Sequence, residues 1–189
     1  MTVFISGGCK NGKSSIAEKC CVNLANGGPL YYIATMQSFD EEDDERIRRH
    51  RASRAGKGFE TLEQPFDILG CLKKSDAEHG TYILDSVTAL MINELYKGTG
   101  AMGEDTYDQT SDQNAAERVS EELTKLCRSV KNIVFVSDFI YSEADAYSEY
   151  TQEFLKALST VDKALAKECD AVAEVCIGNI NMLKGELPL

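Results

Sequence analysis

Basic residues are scarce in this chain: 20 Lys and Arg stand against 31 Asp and Glu, for a formal net charge of −11. So acidic a surface excludes broad contact with a nucleic-acid backbone, which needs a cationic face. It does not exclude a nucleotide site, where a few local cations suffice. Long apolar runs are missing as well. The longest are strand-sized, so no membrane-spanning segment is expected. Histidine is nearly absent. His50 and His79 are the only ones, and neither stands at ligand spacing from a cysteine, so no zinc-type site is expected. The seven cysteines (Cys9, Cys20, Cys21, Cys71, Cys127, Cys169, Cys176) are odd in number and form no C-x-x-C pair. That pattern reads as reduced, mostly buried thiols. The first residues pass straight into a β-like stretch without a charged lead or cleavage site. No signal peptide is read there, and the expected compartment is the cytoplasm. Internal repeats and low-complexity tracts are also lacking.

What is present is enough apolar material, 43% of 189 residues, to build the core of a single domain over residues 1–189. Apolar runs predict strands at Thr2–Ser6, Leu30–Thr35, Phe59–Leu62, Thr81–Asp85, Asn132–Ser137 and Ala171–Ile177, with a short antiparallel return at Asn179–Lys184. Helical periodicity predicts helices at Lys13–Ala25, Phe39–Arg54, Pro65–Lys74, Val87–Tyr96, Ala115–Val130 and Ser148–Glu168. The first should turn Ile16, Cys20 and Leu24 inward. The Ala115–Val130 helix should bury Val119, Leu123, Leu126 and Val130. Residues 97–113 are polar and Gly-rich and read as a loop. His79, in "AEHGT", reads as a turn residue.

The strongest local signal is Gly7-Gly8-Cys9-Lys10-Asn11-Gly12-Lys13-Ser14, which satisfies G-x-x-x-x-G-K-[ST] between a strand and a helix. Its glycines let main-chain N–H groups curl around a phosphate, and the helix start adds unpaired donors and a positive dipole end. Lys13 supplies a point charge for the outer phosphates. Ser14, or its neighbour Ser15, supplies a hydroxyl toward Mg²⁺. Continuous apolar strands alternating with helices complete the fold expectation. It is an α/β, P-loop NTPase-like three-layer fold. Its sheet is twisted and mostly parallel, with helices on both faces and a short antiparallel C-terminal strand.

A carboxylate is expected at the end of another buried strand, beside the metal. "TYILDS" offers Asp85. The same residue could cap the following helix, since "DS" before "VTALM" is also a cap signal. Both roles stay open. The stretch "FDEEDDERIRRHRASR" runs from acid to base, as a helix macrodipole favours, with only Ile47 apolar in its middle. It reads either as a solvated, salt-laced helix or as the cover of a charged ligand. In the second case His50, among Arg46, Arg48, Arg49, Arg51 and Arg54, is positioned to attack phosphorus.

The order of these pieces carries a resemblance. A GGxxxGKS loop is followed by "YIAT", "DDERIRRHRASR", "FETLEQP", "ILDSVTALMINELY" and "CDAVAEVCIGNINMLKG". Over essentially its whole length the chain resembles, as a divergent member, the bifunctional adenosylcobinamide kinase/adenosylcobinamide-phosphate guanylyltransferases of cobalamin synthesis. The resemblance implies two steps. A nucleoside triphosphate, GTP or ATP, phosphorylates the aminopropanol hydroxyl of adenosylcobinamide. GTP then gives GMP to a histidine, which passes it to the new phosphate. The histidine of the motif falls on His50. Nucleotide contacts carry over onto Gly8 through Ser15, that is Gly8, Cys9, Lys10, Asn11, Gly12, Lys13, Ser14 and Ser15, with Gly7 opening the loop. They carry over also onto Thr35, Met36 and Gln37, onto Arg51, Ala52, Ser53 and Arg54, and onto Glu63 and Asp85. The implied catalytic set is His50, Lys13 and Asp85, with Mg²⁺ held by Ser14 and Asp85. Trimeric assembly is implied too.

One stretch departs from the family pattern. After "NIVFVS" the family reads Asn-Glu-Val-Gly, where this chain has Asp138 and Phe139. Leu155, Lys156, Asp162 and Lys163 replace later polar residues, while Phe154, Leu165 and Ala166 hold. That stretch is expected to shape the acceptor site. Two other readings are therefore carried: a kinase for another small alcohol, and a GTP-binding paralogue without catalysis.

Overall fold

Runs of β-branched and aromatic residues set the strands, because both faces of the sheet are covered. The computed structural model describes residues 1–38, 41–96, 114–142 and 148–189, the side chains of Arg46, Ser53, Glu149 and Tyr150 apart. Strand β1 (Thr2–Gly7) leads through the loop into helix α1 (Lys13–Ala25), then β2 (Leu30–Ala34), α2 (Glu41–Arg54) and β3 (Phe59–Glu63). A 3₁₀ helix (Ile68–Lys74) precedes β4 (Thr81–Asp85) and α3 (Val87–Leu95). The order closes with α4 (Ala115–Ser129), β5 (Asn132–Asp138), α5 (Glu149–Glu168), β6 (Ala171–Cys176) and β7 (Asn179–Lys184). The loop expected at 97–113 lies outside the described residues, as do 39 and 40 at the expected start of α2.

The strands form one seven-stranded sheet in the order β3-β2-β4-β5-β1-β6-β7. All its pairings are parallel except the last, β6 with β7, which is antiparallel. The expected α/β layering is present. On one face, Ile33, Tyr82, Leu84, Ile133 and Phe135 pack under α3, α4, α5 and the 3₁₀ helix. On the other, Val3, Ile5, Tyr32, Ile83, Val134 and Val136 pack under α1 through Ala17, Cys20 and Cys21. Small residues at the α1 contact let the helix lie close to the strands. The buried face of α1 is thus turned from the expected one: Cys20 is buried, but Ile16 and Leu24 only flank the core. The face expected of α4 is buried as read, with Val119, Leu123, Leu126 and Val130 all inside.

Pro65–Lys74 does not form the single helix that its periodicity predicts. Gln64 Nε2 donates to the carbonyls of Phe66 (2.6 Å) and Asp67 (2.9 Å). Asp67 itself adopts φ 46°. These bonds hold the chain in a turn until Ile68, and only the tighter 3₁₀ winding follows. The buried Glu94 of α3 fixes this turn, accepting from Asp67 N at 3.0 Å and from Arg118 of α4 at 3.1 Å. Among the described residues no helix is long and apolar enough to cross a membrane.

Parallel register brings the carboxyl ends of β1, β2, β3, β4 and β5 to one edge. Gly7 pairs with Asp138, Ala34 with both Asp85 and Glu63, and Asp85 with Val136. Ligands of open parallel sheets bind at this edge.

Candidate active site

The glycine-rich loop is built by close packing and two left-handed residues. Lys10 has φ 58° and Gly12 φ 88°. Gly12 begins α1 with no side-chain cap, so no side chain occupies the helix's leading amides. Gly7 lies against β6. Asn11 accepts from Ile177 N at 3.3 Å, which ties the loop to the turn between β6 and β7. Cys9, Lys10 and Ser15 are exposed.

Lys13 crosses under this loop and is nearly buried. Its Nζ donates to Gly8 O and to Asp138 Oδ1, both at 2.8 Å. Ser14 Oγ donates to Asp85 Oδ2 at 2.8 Å, and Tyr32 OH donates to the same oxygen at 2.6 Å. Ser14, not Ser15, is therefore the hydroxyl that meets the strand-end carboxylate. The cap role falls to Ser86, whose side chain accepts from Ala89 N at 3.1 Å. Asp85 is left for the loop. Among the described residues no cluster of three or more His, Cys, Asp or Glu could hold a metal alone. A serine hydroxyl beside one carboxylate is nevertheless the donor set that Mg²⁺ takes when phosphates and water complete its shell.

Beside the loop lies a cavity of about 930 Å³. Helix α2 contributes Arg48, His50, Arg51 and Arg54; the segment after β2 contributes Met36 and Gln37; Glu63 comes from β3. Asp85, Thr88 and Asp138 line it too. The residues of the loop itself do not line this cavity. They reach its wall through the Lys13–Asp138 and Ser14–Asp85 contacts. Of the sequence-predicted residues, Met36, Gln37, His50, Arg51, Arg54, Glu63 and Asp85 are thus brought to one space. Thr35 is not: it is fully buried, its hydroxyl accepting from Ser86 N at 2.8 Å and donating to Ser86 O at 2.7 Å. It clasps β2 to the start of α3. Ala52 is exposed and does not line the cavity, and the Ser53 side chain lies outside the described residues.

Polar tethers, rather than an apolar face, hold α2 over the cavity. Arg51 pairs with Glu63, and Lys57 just beyond the helix pairs with the buried Glu18 of α1. Arg54 lies over the Tyr32 ring, 3.5 Å from its centroid, a cation–π contact. Only 7% of Arg54 is exposed, and its Nε makes no hydrogen bond. Burial first, and then the neighbouring Asp85, pushes the Tyr32 hydroxyl well above its ordinary pKa, so it stays a donor. Tyr32 is a site residue that sequence reasoning misses. In "YYIAT" it looks like an ordinary strand residue, and only the pleat shows which tyrosine points at Asp85.

In sequence, Asp138 and Asp162 stand out as departures from the family pattern, and nothing marks Tyr141. Tyr141 OH donates to Asp162 Oδ2 at 2.6 Å, while Asp162 Oδ1 is buried without a partner. Burial is the main cause that pushes the Asp162 carboxyl up to about 6, with the Asp138 charge adding to it and the neighbouring Tyr141 and Ser137 hydroxyls opposing it. A local signal exists: Asp162 interrupts the apolar stripe Leu155, Leu158, Leu165 at helical spacing. The fold holds this proton more tightly than the unfolded chain, whose carboxyl has the ordinary value of 3.8. The group therefore favours folding most below that pH, and the advantage disappears as pH rises through about 6. Asp162→Asn keeps an acceptor for Tyr141. Relative to the parent it is expected to gain roughly 3 kcal/mol between about pH 4 and about pH 7. Urea unfolding across that range measures the gap, and a gap that does not move with pH counts against the assignment.

Comparison with known proteins places this geometry. The family model described as CobU, cobinamide kinase / cobinamide phosphate guanyltransferase, matches residues 3–183. The chain belongs to this family. The bifunctional adenosylcobalamin biosynthesis protein CobU of Escherichia coli is 25% identical over 179 residues, 94% of this chain and 97% of that protein. The protein of the same description from Salmonella typhimurium is 24% identical over the same shares. Among solved structures, an ATPase domain superposes with a TM-score of 0.52 at 12% identity, covering 97% of this chain and 76% of that one. That likeness bears on the fold alone. In this member of the cobinamide kinase family, then, His50 and Asp85 line one cavity, and the loop lies behind Asp85 and Asp138.

Proposed function

We propose that the protein phosphorylates the aminopropanol hydroxyl of adenosylcobinamide with GTP or ATP, and then transfers GMP from GTP to that phosphate through His50. One observation carries the reading: His50 and three arginines of α2 share a cavity with Asp85 and Asp138, the carboxylates that hold the loop's Ser14 and Lys13. Family membership names the chemistry, and this shared cavity supports the reading.

In the first step the loop amides and Lys13 hold the triphosphate. The acceptor oxygen bonds to the γ-phosphorus while the bridging bond to the β-phosphate breaks, releasing the nucleoside diphosphate. Mg²⁺ between Ser14 and Asp85 would neutralise charge on the phosphate oxygens when bound. In the second step an imidazole nitrogen of His50 attacks the α-phosphorus of GTP and pyrophosphate leaves. The acceptor's phosphate oxygen then displaces the imidazole, forming a diphosphate bridge and restoring His50. Arg51 and Arg54, which line the same cavity, hold the charged phosphates near that histidine. Positioning and charge neutralisation supply most of the rate in such transfers.

Incubation with GTP labelled at the α-phosphorus is expected to label the protein through a phosphoramidate, stable in base and lost in acid. His50→Ala should take up no label, and addition of adenosylcobinamide phosphate should discharge the parent. Equal labelling of parent and variant would remove His50 from the mechanism. Labelling that other alcohol phosphates discharge, but the cobinamide phosphate does not, would assign a different acceptor.

A further inference from the structure

We infer that Asp138 is the base that takes the proton from the hydroxyl attacking the γ-phosphate. The inference rests on the kinase half of the reading above. Strand β5 lies between β1 and β4, and its register sets Asp138 opposite Gly7 at the mouth of the loop. The Asp138 carboxylate is 2.8 Å from Lys13 Nζ, the cation that meets the outer phosphates in such a loop. It also lines the cavity, with 24% of its side chain exposed, so an acceptor entering there meets it beside the phosphate that Lys13 holds.

The backbone around it is fixed. Asp138 N donates to Thr88 Oγ1 and Phe139 N donates to Gly7 O, both at 2.8 Å. The carboxylate therefore stands on a strand end bonded to both the loop and α3, which is the rigid placement a general base requires. When the triphosphate draws Lys13 to itself, the Asp138 oxygen loses its cation and is left facing the acceptor. The hydroxyl proton then passes to Asp138 as the new O–P bond forms. The bridging P–O bond breaks toward the diphosphate, and the proton returns to solvent through the cavity. Asp85 is committed elsewhere: paired with Ser14 and Tyr32, it stands where Mg²⁺ is proposed to bind.

The competing explanation is that Asp138 merely neutralises Lys13 until a nucleotide arrives. Asp138→Asn in the full chain separates the two. Binding of a non-hydrolysable GTP analogue is measured by calorimetry. Loss of γ-phosphate is followed with adenosylcobinamide present and, separately, to water. The expected result is analogue binding as tight as the parent's or tighter, with transfer to both acceptors reduced about 100-fold, and partial recovery in Asp138→Glu. Transfer within threefold of the parent overturns the inference, whatever binding does. Loss of binding and rate together, with a lowered Tm, overturns it as well, since it makes the residue structural. If the parent transfers to water but not to cobinamide, the acceptor proposed above is wrong, and the water rates still decide Asp138.

Discussion

Replacing Lys13 with alanine is expected to slow phosphoryl transfer about 1,000-fold while the protein stays folded. The lysine is nearly buried, and its ammonium is held by Gly8 O and Asp138 on the cavity side of the loop. No other described cation donates to that carboxylate or that carbonyl. In the transfer, charge builds on oxygens around the γ-phosphorus, and a fixed cation in a water-poor site stabilises that charge more than it stabilises the ground state. Losing one such preorganised group costs about two to three orders of magnitude in rate, and here the binding charge disappears as well. Stability should fall by only about 1 kcal/mol, because the partner left behind, Asp138, reaches solvent and can rehydrate. Single-turnover transfer and thermal unfolding on the same preparation test both halves. A variant that keeps a tenth of the parent rate would show that the loop binds phosphate without this lysine.

Gly7→Ala should damage the fold itself. A Cβ at Gly7 would lie 2.3 Å from Val175 O, the main chain of the neighbouring strand β6. No side chain can swing aside there, so β1 and β6 must separate at the point where the loop begins. Overpacking of this kind costs about 3 kcal/mol, which corresponds to roughly 10 °C in Tm for a domain of this size. Nucleotide affinity should fall at least about tenfold, since the loop amides move with the strand end. Gly8→Ala is the contrast. Its Cβ would meet only the end of the Asn11 side chain, at 2.7 Å, which can turn aside at the cost of its one long bond from Ile177 N. Its Tm should stay close to the parent's. Equal Tm loss in the two variants would show that loop strain, rather than the β1–β6 contact, sets the cost.

The parts legible in sequence are those governed by local rules. The loop motif, the apolar strands and the α4 stripe Val119, Leu123, Leu126 all depend on spacing along the chain. The 3₁₀ segment is only partly legible, because the turn that Gln64 bonds is held in place by Glu94, 27 residues beyond Asp67. The clasp of the Thr35 hydroxyl on Ser86 is not legible either, because "YIAT" does not show that this hydroxyl faces the next strand's turn. Tyr32 and Asp162 are obscure for the same kind of reason. A tyrosine in a strand and an aspartate in a helix acquire meaning only from what lies opposite them.

By itself the sequence determined that a glycine-rich loop would open the first helix, that the sheet would be mostly parallel, and that one histidine would stand in a run of arginines. Each follows from residue type and from periods of 2 or 3.6, which operate within a single element. The tertiary structure decided what that loop faces. Strand order set β5 between the loop strand and the Asp85 strand, so that Asp138 meets Lys13 across 125 residues of chain. It also laid the charged α2 over Tyr32 and Glu63, which turned a solvent-type helix into one wall of a cavity. Strand neighbours and polar tethers of this kind are set by the free energy of the whole packed sheet, and no window of the sequence contains them.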